Sequence, residues 1–485
     1  MNAASLLTVV LGYFALLFWI SWRTSQGATN QSFFVGNRNR AWPLVALGMI
    51  GTSLSGVTFI SVPGGVLQSG FSYWQIMLGH WLGYGVVAWV LLPLYYRSGK
   101  VSIYGWLQAR LGRSAWQTAA LFFILSRTLG ATARLYLVVR ILQDVILESM
   151  GIPFAVTTCV MVALILAYTW RGGVKTIVWT DTLQTAGMLF GLGACTVFLL
   201  SALDVSPWQA WQQMDAAGLT RVWVDDPAAK DYWIKQLLAG AAIAVAMTGM
   251  DQEMMQKNIS VARLRDSQIN MMCMAAAMQI VVLAFLYLGG LLVLFAQQSG
   301  LQAQGDRLFP AVVMTYLPAM VQIIFIVALI SALLPSADGA LTALTSSTCN
   351  DLLRFEERTD LSEATRERWR RLVHAGHAGV FLLLVLGFRW IDDPSMIYLI
   401  LKIASYTYGP LLGLFAFAGL TLRCVRQAWV PWVAISGPLV CGLIDAVQPQ
   451  LFQTWRIGLE LLLINGALVF GGLWLCGVGA QTSEA

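Results

Sequence analysis

Charged residues are scarce in this sequence. Asp, Glu, Lys and Arg make up 11% of its 485 residues, where a soluble domain carries about a quarter. That excludes a water-soluble protein, whose two or three domains at this length would lack a charged coat. Histidine is rarer still, with three residues. His374 and His377 stand beside Arg370 and Arg371, a poor setting for a metal, and His80 has no nucleophile or base near it in the sequence. An intramembrane enzyme is therefore not expected. The seven cysteines form no CxxC pair, so neither a disulfide framework nor a thiolate metal site is implied. A GxxxxGK phosphate loop is missing, which argues against nucleotide-driven transport. The first apolar run, LLTVVLGYFALLFWISW, has no basic residue before it and no small-residue cleavage site after it. It reads as a retained helix rather than a signal peptide.

Oil is what the sequence has in abundance. Hydrophobic residues make up 58% of the chain. They fall in runs of the length that a bilayer-spanning helix needs. The spacing predicts an all-α polytopic membrane protein of about thirteen transmembrane helices: 4–22, 42–63, 72–96, 114–147, 152–170, 174–202, 233–257, 266–297, 318–350, 372–388, 394–420, 429–447 and 457–478. These are spans 1 to 13 below. Basic residues gather after the odd-numbered spans: Arg97, Lys100, Arg110 and Arg113 after span 3; Lys257, Arg263 and Arg265 after span 7; Arg354 to Arg371 after span 9. The positive-inside rule then puts the N-terminus outside and the C-terminus in the cytoplasm of a cell whose inner (plasma) membrane holds the chain. The net charge of +6 lies in these loops. It points to no nucleic acid, and no obligate protein partner is evident; the expected partners are the bilayer and a small molecule.

Polar residues interrupt the oil at chosen places. MIGTSLSGVT (49–58) breaks span 2 and AMTGMDQ (246–252) breaks span 7, five helices later. Five is odd, so the second copy is inverted. Paired broken helices in two inverted repeats point to a transport site at mid-membrane. The repeats are expected at 42–202 and 233–420, with 4–22 and 429–478 peripheral. Span 9 carries SALLPSADG, where Pro335 leaves the Ser331 carbonyl without its helical donor and Ser336 adds a hydroxyl. Carbonyl and hydroxyl oxygens suit a small hard cation; a simple kink is the plain alternative. Asp181 and Asp338 are ionisable groups at membrane depth, which face a cavity or a partner. Asp251, nearer the end of its span, is expected to be solvated. In span 4, Arg127 and Arg134 lie seven apart and share a helix face. They pair with the aspartates or clamp a carboxylate bidentately. Lys402 adds a cation in span 11, and the excess of deep basic residues favours an anionic solute.

Three motifs together, GGVKTIVWTDTLQ (172–184), GMDQEMMQKNIS (249–260) and SADGALTALTSSTCNDLL (336–353), resemble the sodium/solute symporter (SSS) family, the group of the bacterial sialic acid, galactose and proline symporters. The likeness covers nearly all of spans 2 to 11. It implies the LeuT-type fold, a 5+5 inverted repeat, and sodium as the co-transported ion. The family's main sodium site falls on the carbonyls of Gly51, Leu54 and Ala332, with its two hydroxyls on Pro335 and Ser336, so one hydroxyl is replaced by proline. A second cation site, seen in part of the family, falls on Asp181, and the positions of its partner hydroxyls are held here by Asp338 and Gly339, neither of which carries one. Solute-binding candidates on this likeness are Ser53, Ser55, Thr58, Gln75, Arg127, Arg134, Met247 and Thr248, the likeness not choosing between the two arginines, and Lys402 joins them as the cation of span 11. The absence of sugar-binding side chains around Ala244, Met247 and Thr248 favours a sialic acid or another organic acid. Rival expectations are proton coupling through Asp181, Asp338 and Lys402, a sugar or amino-acid solute, and a solute sensor, which would carry a signalling domain not evident after residue 478.

Overall fold

A computed structural model describes residues 3–26, 42–100, 102–170, 173–358, 360–391, 395–452 and 454–480. Each of the thirteen apolar runs is a helix or a bent pair of helices. Eight cross-membrane candidates are continuous: Ala4–Thr24, Tyr73–Ser98, Arg113–Met150, Thr176–Leu203, Leu264–Ser299, Ala319–Leu352, Glu363–Phe388 and Val430–Leu451. Two, Phe154–Thr169 and Leu461–Leu475, are shorter. Three are bent: span 2 by 52° between Val45–Ser53 and Gly56–Gly64, span 7 by 68° between Trp233–Gly249 and Gln252–Asn258, and span 11 by 45° between Met396–Thr407 and Gly409–Leu420.

The bend in span 11 was not expected, and its cause is local. Gly409 is followed by Pro410, which has no N–H to extend the ladder and suits the first turn of a new helix. Span 10 also differs from the expected 372–388. Its helix starts at Glu363, because the Ser362 hydroxyl accepts from the Thr365 N–H at 3.2 Å and caps it there. The part of the charged link from Glu363 onward thus belongs to the span 10 helix.

Span 3 packs along span 7 and span 8 along span 2; span 6 packs along span 9 and span 11 along span 4; spans 5 and 10 pack on each other. Exchanging spans 2–6 for spans 7–11 maps every one of these pairs onto another or onto itself, as two copies of one unit require. Small residues bring spans 3 and 7 into backbone contact. A methyl group on Gly79 would sit 2.9 Å from the Ala241 nitrogen, and one on Gly240 would sit 3.1 Å from the Gly79 Cα. Such close approach is how helices bind in lipid, where hydrophobicity gives no drive. Phe59, in the second half of span 2, packs its ring within 5.2–5.8 Å of Phe285, Phe309 and Phe325. That cluster fixes the second half of span 2 against spans 8 and 9.

Candidate functional site

The break in span 2 frees backbone oxygens. The last bond of its first half runs from the Leu54 N–H to the Ile50 carbonyl at 2.7 Å, and the first bond of its second half from the Phe59 N–H to the Ser55 carbonyl at 3.0 Å. The carbonyls of Gly51, Thr52, Ser53 and Leu54 therefore fall outside the helical ladder. The break lies on span 9: a methyl on Gly56 would come 3.6 Å from the backbone of Leu333. One turn away, Ser336 is 1% exposed and donates to the Leu333 carbonyl at 2.8 Å. That bond uses the hydroxyl's proton and leaves its lone pairs to accept. Ser331, before the proline, shares a 2.7 Å hydrogen bond with the Tyr13 hydroxyl.

A cavity of about 100 Å³ sits at the breaks of spans 2 and 7. Thr52, Ser53, Ser55, Thr58, Tyr73, His80, Tyr84 and Thr248 give it polar walls, and Met77, Met247, Met254, Met278, Ile397 and Ile400 apolar ones. Both Arg127 and Arg134 line it, and no Asp or Glu does so among the described residues. A larger hollow of about 730 Å³ begins one turn along the same helices, at Leu137 and Ile141 of span 4 and Met396 of span 11.

The two arginines have different company. Arg127 is bonded to Glu253, and its Nε lies 3.9 Å from Asp251. Arg134 has no hydrogen bond or ion pair among the described residues; its guanidinium folds back over span 4, 3.5 Å from where a methyl on Gly130 would stand. The sequence left these two open; the structure separates a paired arginine from an unpaired one.

Around Arg127 lies an ion network that sequence reading missed. Lys257 Nζ stands 2.7 Å from Asp181 Oδ2, 2.6 Å from Thr52 Oγ1 and 3.3 Å from Glu253 Oε1. Asp251 caps the second half of span 7, accepting from the N–H groups of Glu253 at 2.9 Å and Met254 at 3.3 Å. It also accepts from the Tyr408 hydroxyl at 2.8 Å, which ties the bend of span 7 to the bend of span 11. Two expectations are corrected here. Asp251 is fully buried rather than solvated, and Lys257 is 2% exposed rather than a loop cation. The reason is the 68° bend, which turns the end of span 7 back into the protein. With Asp251 and Glu253 added to Asp181 and Asp338, the expected excess of deep basic residues is gone; the case for an anion now rests on the cavity alone. The signal available in the sequence was the Glu253–Lys257 spacing of four, a helical ion-pair spacing, directly after a capping aspartate.

Asp338 is fully buried and accepts from the Tyr168 hydroxyl at 2.7 Å and the Gly339 N–H at 2.5 Å. His374 lies between the hydroxyls of Thr169 and Thr345, and His377 against that of Thr348.

Two expected solute ligands are elsewhere. Lys402 points away from the cavity, half exposed, with Nζ 2.8 Å from Asp445 Oδ2 of span 12. Gln75 is buried at one end of span 3, where its amide donates to the carbonyls of Ser72 and Asp231 and accepts from the Val224 N–H. It fastens the 224–231 loop to span 3. Ser53, Ser55, Thr58, Arg127, Arg134, Met247 and Thr248 do meet on one cavity. Lys402→Gln is accordingly expected to leave solute uptake within about twofold of wild type, since a half-exposed ion pair is worth about 1 kcal/mol or less. A complete loss of uptake would place Lys402 at the solute after all.

The sequence profile described as the sodium:solute symporter family matches residues 33–428. The chain belongs to the sodium:solute symporter family, whose members are transporters with sodium as the coupling ion. It is 27% identical over 420 residues to the sodium-dependent multivitamin transporter of Oryctolagus cuniculus, an alignment covering 83% of this chain and 62% of that one. It is 24% identical over 446 residues to the sodium/sialic acid symporter SiaT of Proteus mirabilis, covering 88% and 87%. Its fold matches a solved sodium-coupled sialic acid symporter, in a substrate-bound outward-open state, with a TM-score of 0.82 over 97% of each chain at 19% identity. At that identity the likeness is one of fold.

Proposed function

We propose that the chain imports a small carboxylate together with sodium across the plasma (inner) membrane, with its N-terminus outside and its C-terminus in the cytoplasm. Residues 42–202 and 233–420 act as the two inverted repeats. One observation carries the choice of solute: Arg134 presents an unpaired guanidinium to a cavity that holds no carboxylate among the described residues. A solute carboxylate supplies the missing partner, in the paired geometry that guanidinium favours. Ser53, Ser55, Thr58 and Thr248 hydrogen-bond the rest of the solute, and Met247 packs on it. The cavity of about 100 Å³ is smaller than the roughly 300–1,000 Å³ of pockets that hold larger ligands. A solute of few heavy atoms suits it as it stands, and a sialic acid requires it to widen.

Sodium binds where span 2 breaks against span 9, at the carbonyls of Gly51, Leu54 and Ala332 and the hydroxyl of Ser336. The support is the set of carbonyls released at the break and the free lone pairs of Ser336 beside it. The ion stabilises the arrangement in which the two spans meet. Only such differential affinity lets a ligand shift a conformational equilibrium.

Uptake into proteoliposomes, with sodium and pH gradients imposed separately and carboxylates, sugars and amino acids offered in turn, tests the assignment. Carboxylate uptake driven by sodium alone is expected. Ser336→Ala is expected to raise the sodium concentration for half-maximal uptake by about tenfold, the equivalent of one lost ligand at ~1–2 kcal/mol. Uptake driven by the pH gradient without sodium would replace this reading with proton coupling.

A further inference from the structure

We propose that the Lys257 ammonium is a built-in cation that holds the second cation position of this fold, so that one sodium ion rather than two accompanies each solute. The proposal rests on the sodium-coupled reading above.

The ammonium sits among oxygens that would otherwise suit a hard monovalent ion: one oxygen each from Asp181, Thr52 and Glu253, at 2.7, 2.6 and 3.3 Å. Three oxygens match the three N–H donors of a lysine. The remaining parts of the expected site are engaged or missing. Asp338 accepts from Tyr168 and from the Gly339 N–H. Position 339, where a hydroxyl ligand was expected, is glycine. A methyl group there would collide with the Glu253 carboxylate and stand 3.1 Å from Lys257 Nζ. The space that a side chain at 339 would need is thus taken by the Glu253 carboxylate, which itself accepts from the ammonium.

A tethered ammonium differs from sodium in what it does over a cycle. It neutralises Asp181 but never leaves, so it carries no charge inward and draws nothing from the sodium gradient. One sodium with one monocarboxylate moves no net charge. Asp181 keeps a second oxygen, Oδ1, buried without a partner among the described residues. Its carboxylate therefore remains a ligand once the ammonium is removed.

Equilibrium binding of ²²Na⁺ to the purified full chain is the test. Wild type is expected to bind about one ion per chain and Lys257→Met about two, with the Hill coefficient rising from about 1 towards 2. A wild type that binds two ions overturns the proposal, and so does a folded Lys257→Met protein that gains none. If wild type binds no sodium, coupling through Ser336 fails, yet an ion gained by Lys257→Met still upholds the role of the lysine. If Lys257→Met does not purify folded, Ser336→Ala alone decides: a single ion whose affinity falls about tenfold upholds the proposal, and an ion that still binds with wild-type affinity overturns it.

Discussion

Arg134→Gln is expected to weaken carboxylate binding by about 10- to 100-fold while leaving sodium binding unchanged. A hydrogen bond to a charged group contributes about 1.5–3 kcal/mol, and each 1.4 kcal/mol is tenfold in affinity. Because Arg134 has no partner to abandon among the described residues, the substitution orphans nothing within the protein. The loss should appear in solute affinity and not in melting temperature. Arg127→Gln is the contrast. Its guanidinium is bonded to Glu253 and lies 3.9 Å from Asp251, so the same change strands buried carboxylates. Calorimetric titration of both variants with small carboxylates separates the two. Equal affinity in wild type and Arg134→Gln would remove Arg134 from the solute site and with it the reason for choosing an anion.

Glu253→Gln is expected to be the most destabilising single change, at about 3–5 kcal/mol, the usual cost of removing one partner from a buried charge set. Glutamine has nearly the same shape, so packing is spared and the charge alone is tested. Glu253 is the acid that both Arg127 and Lys257 share, and all three side chains are 5% exposed or less. Removing its charge leaves Arg127 with Asp251 alone, at 3.9 Å, and takes from Lys257 one of its two carboxylate partners. The effect is read as a lower melting temperature in detergent and a smaller yield of monodisperse protein. An unchanged melting temperature would mean that the network does not bear on stability.

The spans were legible because a bilayer imposes a length on apolar sequence, and all thirteen runs became helical elements. The breaks at 49–58 and 246–252 were legible because Gly, Ser and Thr at membrane depth have few other uses. The bend at Gly409–Pro410 carried an equally plain signal and was overlooked inside a long apolar run. Which way a side chain points was harder to read. Gln75 and Lys402 lie on the right helices but on other faces, and one sequence without its neighbours does not fix helix rotation. Asp251 and Lys257 were misplaced for a different reason. Depth was read by distance along the chain, and a helix that turns through 68° no longer obeys that measure.

The contact between spans 3 and 7 has a mechanical consequence. Where Gly79 and Gly240 bring main chain against main chain, no side chain is left to act as a bearing. Neither helix slides or tilts against the other without collision, since packed interiors yield in discrete steps rather than continuously. The pair is expected to travel as one piece during a transport cycle. Its hinges then fall at the bends of spans 2, 7 and 11, where the backbone is already out of helical register.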